Sequence, residues 1–198
     1  MPHRVVALCL DGLVAFDLTA PAQAFGLAAR PSGDPLYEFT TCSPSGDPVR
    51  TTSGFEVVPP AGLDALREAE TVVVPGYAAI LAPPPEEALR ALRDAAARGA
   101  RLVSVCTGAF ALAHAGALDG RRATTHWAWA GELAKRFPAT RVDPDALFVD
   151  EGEVLTSAGL SAGIDLSLHV IRRDFGAAAG ERVARHMVAP PHREGGQA

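Results

Sequence analysis

The sequence predicts an α/β fold, an open three-layer α/β/α sandwich around a mostly parallel sheet. Three observations predict it. Short runs that are apolar on both faces recur along the chain, as the strands of a helix-covered parallel sheet require. Segments of helical periodicity alternate with them. The strand–helix–strand order implies right-handed crossovers and helices on both faces of the sheet. A ligand crevice in such a sheet lies at the carboxyl ends of its strands.

The elements follow in chain order. Val5 to Leu10 is a continuous apolar run of strand length. Thr19 and Pro21 start a helix that runs to about Arg30. In the stretch 31–60, Ser43-Pro44-Ser45-Gly46-Asp47-Pro48 separates two short strand-like runs, which predicts a hairpin-like excursion. Thr71 to Val74 is the next strand and ends at Pro75-Gly76. Pro85-Glu86-Glu87 opens a helix with proline and acids in its first turn; Ala88, Leu89, Leu92 and Ala96 mark its buried stripe, and Gly99 ends it. Arg101 to Val105 is a strand that stops at Cys106, and a helix begins at Thr107 and ends at Gly116. Segments 128–137, 162–174 and 177–187 read as three more helices, and Glu153 to Thr156 as a strand that stops at Ser157.

Composition bounds the function. A chain of 198 residues is one domain of ordinary size, or at most two small ones, and is long enough to bury roughly 70% of its unfolded surface without a staple. The cysteines, Cys9, Cys42 and Cys106, form no C-x-x-C, so neither a zinc ribbon nor a thioredoxin motif is present. Their sparse, odd count fits a reducing cytosol, so a cytoplasmic location is expected. A hydrophobic fraction of 48% argues against disorder. No run approaches the ~18 consecutive apolar residues of a membrane helix, and the N-terminus lacks a signal-peptide core. The net charge is -5 and the one lysine is Lys135, which argues against nucleic-acid binding by this chain alone and against an anionic membrane. His114, His169 and His186 fall within predicted helices with no ligand spacing, so no metal and no cofactor is expected.

Three places carry candidate chemistry. In Val103-Ser104-Val105-Cys106-Thr107-Gly108, a strand runs into a cysteine and a helix begins at once. This is the pattern of a nucleophile elbow. It presents Cys106 at the carboxyl edge of the sheet, and the helix N-terminus is expected to lower the thiol pKa. Gly108 lets the helix approach the strand. The competing reading of Cys106 is a small buried space-filler, which is the preferred reading for Cys9 and Cys42. His126, on a short connection after the elbow helix, is either a base or hydrogen-bond partner for Cys106 or a packed residue holding its loop. Asp17 follows the first strand, so its carboxylate lies at the same edge as Cys106 if it is not merely a first-turn acid. Beside a thiolate its pKa rises, which equips it as a proton donor.

Together these features resemble the ThiJ/PfpI superfamily, the class I glutamine amidotransferase-like domains of flavodoxin-type fold, over essentially the whole chain. Val105-Cys106-Thr107-Gly108 is similar to that family's cysteine elbow, and Asp17 matches its acidic residue facing the cysteine. The block from Gly120 to Trp127 resembles two branches. One is isocyanide hydratase, in which the positions matching Asp17, Cys106 and Thr107 are catalytic. The other is the sensor domain of GlxA-like AraC-type transcriptional regulators, in which a pair of helix-turn-helix motifs follows. The segment Arg185 to Ala198 resembles the junction into such a DNA-binding half, with 188–198 as its linker. One departure is Tyr77, where many catalytic relatives carry a second glycine after Pro75-Gly76.

The expectation is therefore a single domain over 1–198 that senses a small molecule. The ligand lies over Cys106, between Asp17, Gly76, Tyr77, Gly108 and the loop bearing His126, with the Gly76 N–H contributing to an oxyanion hole together with an N–H from Thr107 or nearby. The resemblance implies a homodimer, contact with DNA only through a C-terminal domain absent here, and no membrane partner. The alternative is an isocyanide hydratase-like or other cysteine-dependent activity of the superfamily, a redox role for Cys106 included.

Overall fold

A computed structural model describes residues 1–193, Gly196 and Gln197. Its elements are β1 (His3–Leu8), α1 (Ala15–Leu27), β2 (Tyr37–Cys42), β3 (Val49–Arg50), β4 (Glu56–Val57), β5 (Thr71–Val74), α2 (Glu86–Ala97), β6 (Arg101–Val105), α3 (Gly108–His114), β7 (Arg122–Ala123), α4 (Trp127–Arg136), β8 (Arg141–Val142), β9 (Phe148–Asp150), β10 (Val154–Ser157), α5 (Ser161–Phe175) and α6 (Ala177–His186). A 3₁₀ turn covers Leu63–Glu68. The main sheet has the order β2-β1-β5-β6-β10-β9. Its first five strands are parallel, and β9 closes one edge antiparallel to β10.

The four apolar runs read from the sequence are the four inner strands, because only a strand covered on both faces can be apolar at every position. Their alternate residues divide between two cores. Val72, Val74 and Leu102 pack with Leu92, Phe110 and Leu112 of α2 and α3. Val73, Val103 and Leu155 pack with Phe25, Leu166 and Ile171 of α1 and α5. The sheet thus has helices on both sides, the three-layer arrangement the sequence predicts.

Two predicted elements differ. Helix α1 starts at Ala15, not Thr19, and ends at Leu27, with Pro21 inside it. Burial of Ala15, Asp17, Leu18 and Ala20 extends the helix toward the sheet edge, so packing overrides the start signal of the proline. The excursion 31–60 is only partly a hairpin. β2 joins the main sheet beside β1, held by Tyr37, whose ring packs on Phe25 and Phe175. The hairpin itself is the small β3–β4 pair. Within 188–198, expected as a linker, the described residues fold back on the domain: Arg193 bonds Asp165, and Gly196 bridges Ala146. Glu194, Gly195 and Ala198 lie outside the described residues. Among the described residues no helix is long and apolar enough to cross a membrane.

Candidate functional site

Cys106 sits where β6 turns into α3, with a left-handed φ of 57°. For a residue other than glycine such a backbone costs about 1–3 kcal/mol and persists only where its surroundings impose it. Here two bonds impose it. The Cys106 N–H donates to the Ser157 carbonyl at 3.0 Å, and the Thr125 hydroxyl donates to the Cys106 carbonyl at 2.8 Å. Space is made by glycine. Gly159, at a φ of 89°, lies so close that a Cβ there would meet Cys106 Sγ at 2.9 Å and its Cβ closer still. Gly108 faces the Val74 carbonyl, which a Cβ would overlap. Its place is thus the helix–strand contact, away from the ligand position expected for it.

Asp17 and Cys106 are brought together. Asp17 is fully buried on α1. Its Oδ1 accepts the Leu160 N–H at 2.7 Å, while Oδ2 is buried without a partner and points at Gly76. Burial raises the Asp17 pKa; the Leu160 N–H, the Cys106 thiol, His126 and the Gly76 N–H pull it back. The Gly76 N–H expected for an oxyanion hole thus faces this carboxylate.

The Cys106 thiol is also raised, to about 12, first by burial and then by the like charge of Asp17; the Thr107 N–H opposes them. This corrects the depressed pKa expected from the helix N-terminus. Cys106 is only 6% exposed, so loss of water outweighs the field of a seven-residue helix. The two groups titrate as a pair. Both shifts run upward, and burial is the first cause of each.

The remaining site residues divide. The Thr107 hydroxyl accepts the Tyr77 N–H and donates to the Tyr77 carbonyl, both at 2.9 Å. It is committed to holding the elbow against the loop after β5. His126 caps α4: its Nδ1 accepts the Ala128 N–H at 3.4 Å. It has no hydrogen bond to Cys106 yet lines the same cleft, of about 340 Å³, with Val14, Ile80, Trp129 and Leu160 above Cys106. Tyr77 is 3% exposed, its hydroxyl is buried without a partner, and it also lines a second cleft of about 460 Å³ that includes Cys9, Leu10 and Pro84. It is the wall between the two.

Sequence reasoning missed Thr125 as a brace and the Gly159-Leu160 pair. The available signal was a glycine right after a strand that stops at the sheet edge, in Ser157-Ala158-Gly159-Leu160. Burial pushes Cys9 and Cys42 up to about 12, in keeping with inert space-filling thiols. Among the described residues no group of three His, Cys, Asp or Glu side chains could hold a metal ion.

Comparison with known proteins agrees with this fold. A protein in the cpoL 5' region of Streptomyces lividans is 45% identical over 141 residues, 70% of this chain and 97% of that protein. The HTH-type transcriptional regulator GbdR of Pseudomonas aeruginosa is 32% identical over 175 residues, 88% of this chain and 47% of the regulator. The crystal structure of an AraC family transcriptional regulator from Pseudomonas putida matches with a TM-score of 0.82 at 29% identity, covering 94% of this chain and 100% of that one. This chain spans about half the length of the regulators GbdR and CdhR. The relatives include the regulator GlxA and an isonitrile hydratase. Residues 3–173 match the DJ-1/PfpI family, and the chain belongs to it.

Proposed function

We propose that this domain is the ligand-sensing half of an AraC-type transcriptional regulator, binding a small molecule in the cleft above Cys106. The observation that carries the reading is the state of the elbow. The Thr107 hydroxyl is consumed by the Tyr77 backbone, and burial and the neighbouring Asp17 raise the pKa of the thiol. Binding needs only the cleft, whereas catalysis needs nucleophile, acid and oxyanion donors aligned together in the transition state. The cleft lining is largely apolar and includes no Arg or Lys, and the buried Asp17 lies beside Cys106. It suits a small molecule with an apolar body. Relatives named as HTH-type regulators support the regulatory role. Binding would bias a homodimer, for which Phe16, Trp127 and Leu160 offer exposed apolar surface near the cleft.

A screen of small amines, amides and alcohols by thermal shift tests it. A ligand that binds the folded state alone raises stability by RT ln(1 + [L]/Kd). The expected result is a hit whose effect disappears when Trp129 or Asp17 is replaced. Residues 1–198 alone should not bind promoter DNA selectively at physiological salt. Selective binding there, or a screen with no hit, would sink the reading.

The Asp17–Cys106 pairing favours a second reading, hydration of an isocyanide. The thiol sulfur would bond to the isocyanide carbon while Asp17 passes a proton to the adduct. Water would then add to that carbon, and C–S cleavage would release the N-substituted formamide with the thiol regenerated. Robust formamide production, abolished in Cys106→Ala and Asp17→Ala, would favour this reading; slow or absent turnover is expected.

A further inference from the structure

Two helix starts frame the mouth of the Cys106 cleft. α5 begins directly after Leu160, whose N–H holds Asp17. α4 begins directly after His126. The C-terminal segment grips both. Arg193 reaches α5, where Nη2 donates to Asp165 Oδ2 at 2.5 Å and Nη1 donates to Ser161 Oγ at 3.3 Å. Gln197 reaches α4, where Oε1 accepts the Trp127 N–H at 2.8 Å. That amide is one a helix start leaves without an internal partner.

The rest of the Gln197 carboxamide fits a notch made for it. Its Nε2 lies 3.0 Å from the Thr125 carbonyl, 2.9 Å from that of Pro144, 3.1 Å from that of Ala146 and 3.2 Å from the Thr124 hydroxyl. A primary amide has two donors and one acceptor oxygen. The notch offers acceptors on one side and a donor on the other, so it selects a carboxamide against an isosteric carboxylate. The Gln197 N–H donates to the Asp145 carbonyl at 2.7 Å. Gly196 lies where a Cβ would overlap that same carbonyl. The notch is one residue from the cysteine, because the Thr125 hydroxyl donates to the Cys106 carbonyl at 2.8 Å.

We propose that Arg193, Gly196 and Gln197 form a strap that holds the two helix starts around the cleft, and that occupancy of the cleft at Cys106 loosens the strap through Thr125. The proposal rests on the sensor reading of this cleft and names the part of the domain that carries its signal. Any DNA-binding half joined after residue 198 would be attached through this strap. The coupling is reciprocal: an occupant that weakens Gln197 binds more tightly when Gln197 is weakened.

Amide hydrogen exchange on the whole chain tests it, with Gln197→Glu, Gln197→Ala and Arg193→Ala. Iodoacetamide serves as the cleft probe, placing a carbamidomethyl group on Cys106 with its extent read by mass. Loss of a single hydrogen bond predicts Trp127 amide exchange roughly three- to tenfold faster in both Gln197 variants. Carbamidomethylated wild type should speed the Gln197 and Trp127 amides by a similar factor, and Cys106→Ser treated identically should not. Unchanged Trp127 exchange in Gln197→Glu overturns the strap. Unchanged Gln197 exchange after alkylation of Cys106 overturns the coupling. If Gln197→Ala loses its fold, Gln197→Glu and Arg193→Ala decide. A failure of the sensor reading shows elsewhere, as the absence of any binding small molecule while both exchange arms remain positive.

Discussion

The Leu160 N–H donates to Asp17 Oδ1 at 2.7 Å across 143 positions of sequence. Leu160 has a left-handed φ of 48° and stands directly before α5. This bond secures one oxygen of a fully buried carboxyl and leaves the other beside the cysteine.

That arrangement sets the titration of Cys106. A thiol raised from 9.0 to about 12 stays protonated through the neutral range. Iodoacetamide labelling of Cys106 should therefore still be rising above pH 9. Asp17→Asn removes the like charge and should lower the midpoint, with burial still holding it above the ordinary thiol value. A wild-type midpoint at or below the reference of about 8.5 would contradict the assigned burial effect. The sign for stability follows. A raised folded pKa contributes stability that is fully present below the unfolded value and is lost as pH climbs toward the folded one. For Cys106 that window runs from about 9 to about 12. Cys106→Ser should flatten the alkaline arm of the stability profile.

Gly159→Ala should be strongly destabilising. It places a Cβ against Cys106 at a φ of 89°, so strain and overlap act together. The expected loss is about 2–4 kcal/mol in urea unfolding. A loss below about 1 kcal/mol would mean that the elbow yields.

Thr107 should behave as a clamp on the Tyr77 backbone. Thr107→Val removes one donor and one acceptor from two buried partners, at a cost of about 1–3 kcal/mol. Thr107→Ser keeps the hydroxyl and should recover most of that. Equal losses in the two variants would assign the effect to packing instead.

Tyr77→Phe removes a buried hydroxyl that has no partner. Stability should stay the same or rise by up to about 1–2 kcal/mol, and ligand binding in the Cys106 cleft should be retained. A loss of more than about 1 kcal/mol would point to a hydrogen bond made in solution.

The periodicity of the chain determined the layers of the fold. Val72-Val73-Val74 and Leu102-Val103 are apolar on both faces, and nothing but a sheet between helices accommodates that pattern. The Val105-Cys106-Thr107-Gly108 run likewise placed the elbow, since strand, cysteine and helix start are contiguous. Residues distant in sequence were legible only as candidates. Asp17 comes to face Cys106 because α1 begins four residues before the apparent start, an extension driven by burial rather than by capping residues. The sign of the thiol shift was not legible, because the helix start that favours thiolate is local, while the burial and the carboxylate that oppose it come from α1 and from the Gly159-Leu160 turn. The docking of the tail was not legible for the same reason. Arg193 and Gln197 are polar residues in a Pro- and Gly-containing segment that reads as a linker, and only the folded positions of Asp165, Thr125, Pro144 and Ala146 supply the partners that dock it.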